Sequence, residues 1–138
     1  MMSNAAYSRA IAGYRATSQL ALSPTEIALA LHQKLYAAIA SARSADEQNR
    51  LDMMVFHLGV ASQILSALKL HMDFSAAGSE GVDLQRFYAR THSAVRRIGM
   101  LPKRNREWSI VTDPIQNMIR SIISISRTTQ PTPNNTIQ

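Results

Sequence analysis

Between Leu51 and Met72 apolar residues return every seventh position, and no other feature of the chain constrains its fold as strongly. Leu51, Leu58, Leu65 and Met72 form one line, and Met54, Ala61 and Leu68 interleave with it at the same period. Two such lines make an a/d seam, which needs a facing helix to supply holes for its knobs. The same segment carries a second apolar stripe on another face: Phe56, Val60, Ile64 and Ala67. A helix with solvent on its back would not keep that stripe. It either meets a second neighbour or offers a groove to another molecule.

Partners for the seam are present on both sides. Ser23-Pro24-Thr25-Glu26 starts a first helix, with serine as cap, proline at the first helical position and Glu26 three residues after the cap. Ile27, Leu31, Leu35, Ala38, Ile39 and Ala42 then give one buried stripe, and Ser44-Ala45-Asp46 offers a break. Phe74 to Gly81 reads as a small-residue loop. The spacing predicts a third helix from about Val82 to Met100, with Leu84, Phe87, Thr91, Ala94, Val95, Ile98 and Leu101 inward and Arg86, Arg90 and Arg97 outward. Pro102 stops it and a basic loop, PKRNREW, follows. Asp113-Pro114 predicts the start of a short last helix of about 13 residues, carrying Ile115, Met118, Ile119, Ile122 and Ile123. Amphipathic helices on short loops pack antiparallel. The expected fold is therefore all-α: an antiparallel up-down four-helix bundle over residues 23–127, with an N-terminal arm (1–22) and a disordered tail (128–138).

Composition removes most chemistry. A chain of 138 residues has the size of one domain, and without cysteine it holds no disulfide, thiolate metal site or cysteine nucleophile. His32, His57, His71 and His92 include no pair three or four apart, so no helix presents two imidazoles to one metal, and each reads as a surface or groove-edge histidine. No Glu-x-x-His pair, Gly-rich phosphate loop, G-x-S-x-G or H-E-x-x-H occurs. The chain reads as a non-enzyme that needs no cofactor and no metal. The expected compartment is the cytosol: Arg9 and Arg15 interrupt any signal-like apolar run at the N-terminus, and no stretch reads as a membrane-spanning helix.

Charge is uneven. Residues 1–85 hold six basic and seven acidic groups, whereas residues 86–138 hold nine basic groups against Glu107 and Asp113 alone. Arg86, Arg90 and Arg97, continued by Lys103, Arg104 and Arg106, could follow phosphates or meet an acidic protein. Base readers add Asn/Gln donors or stacking aromatics at helical spacing, and this face shows neither, so nucleic acid is not favoured.

The order of pieces resembles the FliS family of flagellar secretion chaperones. A tyrosine-bearing, acid-poor arm with Tyr14 leads into SPTEIALAL (23–31), followed by ASQILSAL (61–68) closing on Met72-Asp73, and then DLQRFY (83–88). The likeness covers about residues 7–98. It implies a helical bundle without catalysis or cofactor, whose client is the flagellin C-terminal segment, wrapped around the bundle in apolar grooves. It also implies that the arm, with Tyr7, Ile11 and Tyr14, caps part of that surface until the client displaces it. Ile27, Leu31, Phe56, Val60 and Ile64 would then belong to the bundle or its grooves. Flagellar export-gate components are further candidate partners. The chain departs from the family where it reads Leu31-His32-Gln33-Lys34 in the first helix and Phe87-Tyr88-Ala89 in the third, and in its net charge of +6.

Overall fold

The computed structural model of the chain describes residues 24–70 and 78–129. They form helices α1 (Pro24–Glu47), α2 (Leu51–Leu70), α3 (Gly78–Met100) and α4 (Ser109–Thr129), with a 3-10 turn at Lys103–Asn105. There is no strand among the described residues. Helix α1 packs on α2 and α4, α2 on α3, and α3 most sparsely on α4, so the helices close a ring in chain order. Asp46 at the end of α1 meets Trp108 just before α4, while Tyr36 farther back meets Gln116 farther on. Lys69 late in α2 likewise meets His92 of α3, and Leu58 approaches Gly99 near the end of α3. Neighbours run antiparallel, and the expected four-helix bundle is what forms.

The seam explains the centre of the core. Met54, Leu58, Ala61, Leu65 and Leu68 of α2 are buried against Leu35, Ala38, Ile39 and Ala42 of α1, closed by Val95, Ile98, Val111 and Ile115. Each fully buried Leu or Ile removes its side chain from water at a gain of about 1.5–3 kcal/mol. Leu51 is the exception at 58% exposed, because it occupies the first residue of α2, rotated about 60° from Met54. Met72 lies outside the described residues. Gly99 matters for close approach: a Cβ there would stand 3.1 Å from Leu58 Cδ1, so the bare backbone lets the end of α3 rest on α2.

Three boundaries and one buried face differ from expectation. Helix α1 passes Ser44-Ala45-Asp46 and ends at Glu47, because Ala45 and Asp46 are buried. Its stop is a Schellman motif: Asn49 is left-handed (φ 59), Arg50 N–H bonds Ala45 C=O and Asn49 N–H bonds Asp46 C=O. Helix α3 starts at Gly78, not near Val82, and takes in Gly81, which is buried, despite the low helix propensity of both glycines. Its buried line is Tyr88, Thr91, His92, Val95 and Ile98, and the expected Phe87 and Ala94 are rotated to a half-buried flank. Helix α4 has 21 residues and begins at Ser109, so Pro114 lies inside it instead of opening it. Trp108, Val111 and Ile115 share one face and are buried, which carries the helix through the proline.

One further expectation needs correcting. Residues Leu51–Lys69 are long and apolar enough, by length and composition, to cross a membrane. In the bundle that helix spends its seam on α1 and α3.

Candidate functional site

The bundle has two apolar edges, and helix geometry places them on opposite sides. Lys69 of α2 donates from Nζ to His92 Nδ1 at 2.7 Å, so the Lys69 side of α2 faces α3. At 100° per residue Phe56, Val60 and Ile64 lie about 140–220° around from Lys69, on the side away from α3. Phe56 is 60% exposed, whereas Val60 and Ile64 are half-buried and rest on the core. Leu51 and Val55 are also exposed, but they lie within about 40° of Lys69 and so on the other flank of α2 from Phe56. The second stripe thus has an inner margin that supports packing and an outer margin open to solvent. Ile27 is buried, which makes it a bundle residue in this conformation, and Leu31 is half-buried against the core. Tyr7, Ile11 and Tyr14 lie outside the described residues.

The other edge is the sparse α3–α4 seam. Two hollows of about 530 and 580 Å³ run along it and share Arg90, Ala94 and Ile110. Phe87, Ala94, Ile98, Ile110 and Pro114 give an apolar lining, and Ile110 is 61% exposed. Arg86, Arg90 and Arg97 stand along the α3 side, all exposed and within about 40° of one another around the helix. The expected basic face and an apolar groove are therefore the same place. Sequence periodicity did not reveal this, because the groove exists only where α3 and α4 fail to close.

Polar groups inside the bundle hold packing together. His32, expected near a surface, is fully buried. Its Nδ1–H donates to Ala28 C=O at 2.7 Å, which leaves Nε2 to accept from the Tyr88 hydroxyl at 2.9 Å. A carbonyl can only accept, so Nδ1 carries a proton, and the neutral ring favoured by burial is the tautomer with Nε2 free to accept. Burial holds its pKa below the ordinary histidine value. His92 is also buried, and its pKa is lowered first by burial and then by the charges of Lys69 and Arg96. Both are corrections to the surface reading. His57 is half-buried, and among the described residues no group of three or more His, Asp or Glu is placed to hold a metal.

The basic loop is partly structural as well. Asp46 accepts from Trp108 Nε1 at 2.9 Å and pairs with Arg106, whose Nε also donates to Leu101 C=O at 3.0 Å. Lys103 donates to the Asn49 side chain. Two of the three loop cations are thereby engaged within the bundle, which shortens the cationic track beyond α3.

An antiparallel helical bundle with apolar grooves on opposite edges is the architecture of a module that binds other polypeptides. The chain belongs to the FliS family: the family model described as "Flagellar protein FliS" matches residues 6–100. It is therefore a flagellar chaperone, from a family that is not enzymatic. The match ends at Met100, so the Lys103–Asn105 turn and α4 fall outside it. No curated protein and no solved structure gives a significant match.

Proposed function

We propose that this chain is a cytosolic export chaperone that holds the C-terminal segment of flagellin and prevents its polymerisation before type III flagellar export. Family membership supports the general role, and the observation that carries the client reading is the exposed Phe56 beside Val60 and Ile64. A large aromatic ring left 60% in water next to half-buried aliphatics is a docking ledge for the apolar face of an amphipathic segment. A client that is disordered when free loses ordering entropy on binding, so its affinity comes from burying a long stretch of chain. The family resemblance gives Tyr7, Ile11 and Tyr14, which lie outside the described residues, the part of a cap that the client displaces. Ile27 and Leu31 support the ledge from α1.

Size-exclusion chromatography of the full chain mixed with the flagellin C-terminal segment tests the reading. A co-eluting complex is expected, and Phe56→Asp should weaken it strongly without unfolding the bundle, since that ring is mostly outside the core. Separate elution at tens of micromolar, or a Phe56→Asp complex as tight as the parent, overturns it.

A further inference from the structure

We propose that the α3–α4 groove is a second docking site, for a polypeptide helix that is both amphipathic and acidic. The inference stands on this groove alone and does not depend on the flagellin reading. Three observations meet there. The lining is apolar along Phe87, Ala94, Ile98 and Ile110, and Ile110 is 61% exposed. The α3 border carries Arg86, Arg90 and Arg97, none of which is paired with an acid among the described residues. The helix pair that forms the groove is the least closed in the bundle.

The geometry specifies the occupant. Arg86 to Arg97 is eleven helical steps, about 16 Å of helix. A partner helix of three to four turns fills that length with one apolar stripe and places carboxylates along a single border. Asp83 and Glu107 sit at the two ends of the hollows and set limits to the cationic border. The chain's own segments are poor occupants. The first 25 residues contain Arg9 and Arg15 and no acid, and residues 130–138 contain no charged side chain. A second copy brings a net charge of +6 toward the same arginines. A nucleic acid would satisfy the arginines and leave the apolar lining unused. Only a carboxylate-bordered apolar helix uses both.

The test uses a fluorescein-labelled synthetic helix of about 18 residues, with a leucine stripe and glutamates at i, i+4 and i+11 along one border. It is titrated into the full chain by anisotropy, and amide shifts locate the site. Micromolar binding is expected, with shifts centred on Ala94 and Ile110 and none at Phe56. The triple variant Arg86→Gln, Arg90→Gln, Arg97→Gln should weaken binding about tenfold, as should Ile110→Asp, while Phe56→Asp leaves it unchanged. Raising salt from about 0.05 to 0.5 M should weaken it further. The proposal is overturned if the glutamate-to-glutamine peptide binds equally well, which makes the groove merely apolar. It is equally overturned if the leucine-to-serine peptide binds as tightly, if a duplex oligonucleotide displaces the peptide at lower concentration, if the shifts map to Phe56, or if the chain self-associates through Ile110 and excludes the peptide. Loss of the flagellin complex with this binding intact removes only the chaperone-client reading.

Discussion

The most consequential single residue inside the bundle is His32. A histidine on an apolar stripe is tolerated in the core because Ala28 C=O and the Tyr88 hydroxyl satisfy both ring nitrogens without a charge. The signal in the sequence was weak, since His32 and Tyr88 are 56 positions apart and only the α1–α3 approach across the core joins them. Neutrality has a consequence for stability. His32 and His92 both have folded pKa values below the ordinary value of about 6.5. Below that value the unfolded chain takes up protons that the folded chain resists, so these two groups lower stability as pH falls and have no such effect above it. The urea midpoint should drop between pH 7.5 and pH 5, by less in His32→Gln. A midpoint equal or higher at pH 5 would show that neither ring is held neutral.

At the scale of the element, α4 shows how tertiary burial overrides local punctuation. Asp113-Pro114 has the form of a helix start, and by propensity alone it would be one. The added turn from Ser109 places Val111 in line with Trp108 and Ile115, and their burial outweighs the missing proline N–H. Pro114 still costs α4 one bond to the Ile110 carbonyl. Pro114→Ala should therefore stabilise the protein by about 1 kcal/mol or more in chemical denaturation. A loss of stability would instead mean that the proline sets a bend α4 needs in order to lie beside α3. Helix α3 shows the same override through rotation: its buried line follows Tyr88, and this turns Phe87 and Ala94 toward the groove.

Across the whole molecule, the Asp46–Arg106–Trp108 cluster ties the end of α1 to the connection between α3 and α4. Arg106 and Asp46 are only 10% and 8% exposed, so removing the carboxylate leaves a guanidinium and an indole N–H without their partner. Asp46→Ala is expected to cost about 3 kcal/mol and to expose Trp108, read as a red shift of its emission. An unchanged midpoint and spectrum would show that the connection is held by apolar packing alone. The clasp also affects the groove, because it fixes where α4 begins and hence how far Ile110 stands from Arg90.

The heptad of α2, the Pro24-Thr25-Glu26 start of α1 and the breaks between apolar stripes were sufficient to establish four helices and their antiparallel order. Periodicity encodes which face of a helix must leave water, and short connections leave little choice of neighbour. The fit of one helix against another is not written in any single period. It was tertiary structure that rotated α3 onto Tyr88, buried His32 and Trp108, extended α4 through Pro114, and left the α3–α4 seam open beneath three arginines. Those outcomes depend on pairs of side chains 56 to 80 residues apart finding hydrogen-bond partners and filling volume together. A stripe read from one segment says what is apolar. Only the packed bundle decides which apolar surface is core and which remains for a partner.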